Sequence, residues 1–412
     1  MSPIGHKPLS THNRIDLAIR LLVLAELALI CATWRLWFCA SDFPRVPLFA
    51  GFIGTPTTGV RAVSVAFVAS LLVGLWLSGH RRHRLPRWAS AVMIVPGCLA
   101  VCCNQHCLQA WHWLFLLTIL FRLTVPDDAL FTVLKRLLPT IYIFAAVSRI
   151  GSEIDTGMSR QIVMTLLDLI GLHSIAADPG IVSWFCVGAT MFELATGLLL
   201  LRRKTQFIGT AMAVVMHLVL LLALSPLGIN QQAGVLVWNG FLTAWVVLLF
   251  WPNARQENRT RMAVLAASAF CFAWPTLALF GLTDNWTGWQ LYSPRPEVLQ
   301  LQVHADAVSE LPVSVMVYAE EPDPLEAWCS VRLDRWSLQN TGVPMYPQAR
   351  FQLAIAAAAT AGVSNDAHVR ARLISPKSPN WWNRTTIELI GRQKVFQAIN
   401  LYGLNGRTRS RN

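Results

Sequence analysis

Stretches of about 17 to 25 apolar residues recur through the first two thirds of this 412-residue chain, and each is long enough for a helix to cross the hydrocarbon of a bilayer. Such runs leave little choice of fold. Spanning backbone must satisfy its own hydrogen bonds, so the expectation is a helix bundle in a membrane. The runs fall near 15–40, 60–79, 88–103, 108–124, 130–149, 181–201, 206–224, 232–251 and 261–281, about nine spans. Composition agrees, with 54% hydrophobic and 14% charged residues, and it excludes a disordered chain or a small disulfide scaffold.

The net charge of +12 invites a nucleic-acid reading, which the distribution rejects. Residues 1–281 hold 21 Lys and Arg against 11 Asp and Glu, whereas residues 282–412 hold 13 against 11. The excess lies in short loops between apolar runs, so no nucleic-acid partner is expected. With the N-terminus inside, one loop set carries fifteen basic residues, among them Lys7, Arg81, Arg82, Arg84, Arg87, Arg255, Arg259 and Arg261. The other set carries four: Arg45, Arg61, Arg149 and Arg160. That asymmetry predicts a multi-pass cell-membrane protein with a cytoplasmic N-terminus and residues 282–412 outside. Only five of the 34 basic residues are lysine, which points to a GC-rich bacterial genome.

Between the fifth and sixth runs, Met158, Ile162, Leu166 and Ile170 recur every four residues and predict a short amphipathic helix at the interface. After residue 281 the period changes. Leu299, Leu301 and Val303 alternate with polar residues, as do Val313, Val315 and Val317. With further strands at 329–337, 369–375 and 386–397 and a helix at 349–361, residues 282–412 are expected to form a small α+β domain with an antiparallel sheet. Trp286, Trp289 and Tyr292 fit an interfacial aromatic belt, and Ser293 to Pro296 a rigid turn docking this domain on the bundle.

Ionisable groups inside a membrane are costly and need partners or a wet cavity. At about 1.5 Å per residue, Glu26, Glu193, His217 and Asn239 lie roughly 16, 12, 16 and 18 Å from the cytoplasmic ends of their runs. One reading is a polar cavity in which Glu193 and His217 are catalytic and Glu26, Arg149 and Asn239 bind substrate. The other is interhelical hydrogen bonding that fixes register. Cys39, Cys102, Cys103 and Cys107 cluster near one outer turn, where a disulfide or a redox relay is chemically permitted. No paired CxxC spacing suggests a metal.

The segment Tyr142-Ile143-Phe144-Ala145-Ala146-Val147-Ser148-Arg149, followed by Gly157, Phe192-Glu193, Thr196-Gly197-Leu198-Leu199, Gly209, Met216-His217 and Trp238-Asn239, resembles the vitamin K-dependent gamma-carboxylase-like, horizontally transferred transmembrane (HTTM) domain family. The likeness covers about a quarter of the chain, with a core near 130–251. It implies a multispan protein with an extracytoplasmic C-terminal region, and a reduced quinone as a cofactor by resemblance only. In the carboxylase, lysines stand where this chain has Ser148-Arg149, and arginine is a poor general base. The resemblance therefore implies the family's fold without its carboxylation, leaving His217 as the intramembrane base. Three functions stay open: an enzyme acting on a lipid-like or quinone substrate in the bilayer, a non-catalytic anchor for the C-terminal domain, and a quinone-linked thiol oxidoreductase.

Overall fold

The computed structural model describes residues 11–80, 85–151, 153–250, 262–322, 325–376 and 384–408. Lys7, Arg81, Arg82, Arg84, Arg255, Arg259 and Arg261, which weighed in the orientation argument, lie outside the described residues. The membrane part runs α1 (Thr11–Ala32), α2 (Trp34–Trp37), α3 (Thr57–His80), α4 (Arg87–Cys103), α5 (Ala110–Thr124), α6 (Asp127–Arg149), α7 (Gly157–Leu169), α8 (His173–Ala176), α9 (Pro179–Leu201), α10 (Gln206–Leu224), α11 (Ala233–Phe250) and α12 (Met262–Leu279). Six of these, α3, α6 and α9 to α12, contain stretches long and apolar enough to cross a membrane. Helices α4 and α5 are apolar but only 17 and 15 residues long, and α1 carries Arg14, Asp16, Arg20 and Glu26.

Local chemistry sets the helix boundaries. Asp178 caps α9 by accepting from the Gly180 and Ile181 amides at 2.8 and 3.1 Å, with Pro179 in the first turn. The run predicted at 15–40 does not continue as one helix. It breaks at Thr33, whose hydroxyl donates to Leu29 O at 2.6 Å and accepts from Trp37 Nε1 at 3.1 Å, and α2 follows.

Helix α6 is central, with Leu130, Val133, Leu134, Leu137, Leu138 and Ala146 fully buried. Small residues let its neighbours close in. A Cβ on Gly197 of α9 would meet Ile143 Cγ1 at 2.6 Å and Pro139 O at 3.0 Å, so the α6–α9 crossing requires glycine there. The outward faces of α3, α9 and α10 instead present Trp76, Trp184 and Phe207, each more than 60% exposed. Apolar surface of that extent matches a lipid environment.

The C-terminal region comprises β1 (Val298–His304), α13 (Val313–Met316), β2 (Trp328–Val331), α14 (Leu333–Thr341), α15 (Ala349–Ala359), β3 (Val369–Pro376), β4 (Arg384–Ile390) and α16 (Arg392–Ile399). Its sheet is antiparallel throughout in the order β2-β1-β3-β4, with Leu301 opposite both Val331 and Ala371. The inward residues Leu299, Leu301 and Val303 pack with buried α15 in one core. Three strand expectations are corrected. Val313–Val317 forms a helical turn, started by Pro312 and burying only Val315. The strand at 329–337 ends at Val331, where α14 takes over. The strand at 386–397 ends at Ile390, because Gly391 turns the chain with φ of 96° into α16.

This region is bonded to one end of the bundle. Arg350 donates to both Asp284 oxygens at 2.8 and 2.5 Å and to Gln105 Oε1 at 2.9 Å, while the Tyr346 hydroxyl donates to Asp284 at 2.5 Å. His106 Nε2 donates to Pro344 O at 2.9 Å, Asn405 Nδ2 to Pro47 O at 2.8 Å, and Arg384 pairs with Glu153 at 2.9 Å. The sequence reading assigned all of these bundle contacts to the loop set poor in basic residues. At the opposite set, Arg122 donates to Asp127 at 2.5 Å and to Leu85 O at 2.9 Å, and Lys135 to Gln206 at 2.8 Å.

Candidate functional site

Helical spacing brings one row of side chains from each of four long helices to a common space. Helix α6 contributes Tyr142, Ala145 and Arg149; α9 contributes Cys186, Ala189, Thr190 and Glu193. Met216, His217, Leu220 and Leu224 come from α10, and Trp238, Asn239 and Leu242 from α11. These are i, i+3, i+4 and i+7 relations, so each set occupies one helix face. Ser159, Ile162 and Val163 of α7 and Leu291 and Tyr292 of the segment after α12 also line the cavity, which has a volume of about 120 Å³.

The polar groups form two units. In the first, Asn239 Nδ2 donates to Val235 O at 2.9 Å, which leaves its Oδ1 to accept from His217 Nδ1 at 3.0 Å. His217 Nε2 then carries the lone pair of the neutral ring and accepts from the Tyr142 hydroxyl at 2.9 Å. The tautomer follows from this network. In the second, Arg149 Nη2 donates to Glu193 Oε2, and Nε donates to Ala145 O at 3.2 Å. Both side chains of this ion pair retain exposure, 15% for Arg149 and 12% for Glu193. Glu193 and His217 therefore share a cavity without bonding each other.

Glu26 does not belong to this cavity, contrary to the single polar level expected. Its Oε1 lies 2.7 Å from His112 Nδ1, and His112 Nε2 donates to Gly97 O at 3.2 Å. Both side chains are sealed, at 1% and 0% exposure, and Trp37, Phe67 and Phe115 surround the imidazole. Depth along a helix axis fixes level but not azimuth, so equal depth did not imply contact.

Cys39, Cys102, Cys103 and Cys107 are free thiols in this structure, as are the other five cysteines. Cys103 and Cys107 are buried, Cys39 and Cys102 half-buried. Burial holds the Cys107 thiol well above its ordinary range. Little thiolate forms under such conditions, which disfavours a relay. Among the described residues no group of His, Cys, Asp and Glu could hold a metal.

Sequence reasoning passed over Tyr142 and His112 as site residues. Tyr142 had a legible signal, since it stands seven residues before Arg149 on the same face of α6. The aromatic belt is also corrected. Trp286 and Trp289 are buried within the protein, and Tyr292 reaches the cavity. The adjoining turn docks as expected: the Ser293 hydroxyl donates to Ser148 O at 2.7 Å, and Arg295 donates to Ile150 O at 3.1 Å. Burial lowers Arg295 only to about 10, so it stays charged at neutral pH. The amphipathic helix is α7, but Val163 and Leu167 form its buried face while Ile170 lies beyond its end and is exposed.

No protein-family model matches the chain, and no match occurs among curated proteins or solved structures.

Proposed function

We propose that this is a nine-span membrane protein with its N-terminus in the cytoplasm, residues 282–412 outside, and an intramembrane acid–base site for a lipid-like substrate bearing a quinone-sized ring. One observation carries the reading: an acid–base chain, Tyr142–His217–Asn239, and an ion pair, Arg149–Glu193, line the same cavity among apolar helices. The volume of about 120 Å³ is close to the ~150 Å³ that holds benzene in an apolar protein cavity. Leu220, Leu224, Leu242 and Ile162 suit the apolar body.

The chemistry follows from the donors. A substrate hydroxyl donates to the Tyr142 oxygen, and Tyr142 passes its own proton to His217 Nε2. The resulting imidazolium keeps its Nδ1–H on Asn239, and the substrate oxyanion forms close to Arg149. Arg149 cannot be the base. Carboxylation by a lysine base is therefore not this protein's reaction, and vitamin K-dependent fixation of labelled bicarbonate into a glutamate peptide should be absent in wild type.

Mass spectrometry of lipid extracts from the purified full chain tests the site. An enriched ring-bearing lipid should be present in wild type and Glu26→Gln and depleted in His217→Ala and Glu193→Gln. Identical extracts from all four proteins would overturn the reading. Orientation is tested by thiol labelling in intact cells, which should succeed at a cysteine placed at Asn340 and fail at Arg87.

A second reading, an anchor for the C-terminal sheet, is favoured by the buried Arg350–Asp284–Tyr346 joint. Depletion of the lipid without effect on docking separates the two.

A further inference from the structure

The cavity beside Tyr142 and Glu193 has a volume of about 120 Å³, room for about one ring, so a chain attached to that ring has to leave through a wall. Two walls are shut. Tyr142 and Ala145 of α6 and Trp238 and Leu242 of α11 are all buried. On the remaining side Ala189 of α9 is exposed, and Met216 and Leu220 of α10 are half-buried, although all three line the cavity.

Helical phase accounts for this opening. Leu200 follows Ala189 by eleven residues, about three turns, so both stand on one face of α9. On α10, Met216 and Leu220 follow Gly209 by seven and eleven residues and share its face. At one end the two faces meet. A Cβ on Gly209 would lie 2.9 Å from Leu200 N, so glycine lets the two backbones close there. Three turns further along, the same faces have the cavity between them. Phe185 and Phe192 are exposed on α9 and keep the rim apolar. Helix α7 packs over this end of α9, with Val163 and Cys186 in one small buried cluster. Tyr292 is also exposed, but the hydroxyl of the next residue, Ser293, bonds Ser148 O beside Arg149, so that opening is polar.

We propose that the separated ends of α9 and α10 form a side window onto the lipid, and that the ligand of the cavity is an amphiphile whose hydrocarbon chain leaves through this window past Ala189. The proposal rests on the acid–base reading for the ring end of that ligand. Such a window loads the cavity from the bilayer, with no passage through water, and the small side chain of Ala189 sets its width.

The test is photolabelling of the full chain in nanodiscs with two forms of 4-dodecylphenol, one carrying an azide on the ring and the other a diazirine at mid-chain, read out by peptide mass spectrometry. The ring probe should label the peptides of Tyr142 and His217, and the chain probe those of Ala189 and Leu220. Excess unlabelled 4-dodecylphenol should compete both, and dodecane bearing the same diazirine should not reproduce the chain pattern. Ala189→Trp should lose the chain label at Leu220, and Leu198→Trp, at an exposed position elsewhere on α9, should keep it. The wild-type comparison of the two probes needs no variant to fold. With the ring label in place, a chain label at Tyr292 instead of the window, a window label that is not competed, or an Ala189→Trp protein labelled like wild type would each overturn the window alone. Absence of the ring label would overturn the acid–base reading and the window with it.

Discussion

The bundle holds two glutamates and two histidines deep in helices, and their surroundings differ. Glu193 and His217 open onto a cavity and do not touch, whereas Glu26 and His112 bond directly at 2.7 Å with no space beside them. Placing ionisable residues in a membrane is therefore not enough to make a site. Free volume next to a group with bonding capacity in reserve makes one, and a sealed pair ties helices together. Glu26 and His112 link α1 to α5, and through Gly97 to α4.

The contrast is broken most decisively at the sealed pair. Glu26→Ala leaves His112 facing a buried gap, and breaking such a pair costs about 3–5 kcal/mol. A large fall in melting temperature is expected, with the lipid content of the surviving protein unchanged; a protein as stable as wild type would show that the pair is not sealed. A third histidine extends the comparison at the joint with the C-terminal region. Burial pushes His106 down to about 4, while the Pro344 carbonyl pulls the other way. Between that value and the ordinary ~6.5, the unfolded chain binds the proton that the folded chain refuses. Its contribution is full above pH ~6.5 and declines as pH falls toward 4, by at most about 3 kcal/mol. His106→Gln should flatten that acid limb in a melting-temperature series.

Smaller effects sharpen the open side. Gly197→Val forces α6 and α9 apart against the Pro139 carbonyl and should cost about 1–3 kcal/mol, a typical overpacking penalty, with loss of bound lipid. Tyr142→Phe removes one hydroxyl and should cost no more than about 1.5 kcal/mol. If the cavity is the working site, this last change has the least effect on melting and a marked effect on proton transfer; a change in melting alone would make Tyr142 a packing residue.

Much of this was legible beforehand. Apolar runs located α3, α6 and α9 to α12, because a spanning helix must be apolar along its whole length. The alternation at Leu299, Leu301 and Val303 located β1. Glu193, His217, Asn239 and Arg149 were each singled out, and all four line one cavity. What was not legible depended on rotation and on distant partners. His112 sits between Trp111 and Trp113 in an apolar run, and nothing local marks it as the partner of a residue 86 positions earlier. Val313, Val315 and Val317 alternate as a strand would, but a single helical turn accommodates three such residues equally well. Pro312 was the better guide.

Arg350 reaches across 245 residues to Gln105 and 66 to Asp284. Helices made early in synthesis can therefore pack while the ends of α4 and α5 beside Gln105 still lack their covering. Asp284 lacks its Tyr346 and Arg350 partners until residues 346–350 have been made and folded against it. Completion of this joint thus waits on residues far along the chain, and a chain halted before residue 346 lacks the Tyr346 and Arg350 bonds to Asp284 and Gln105.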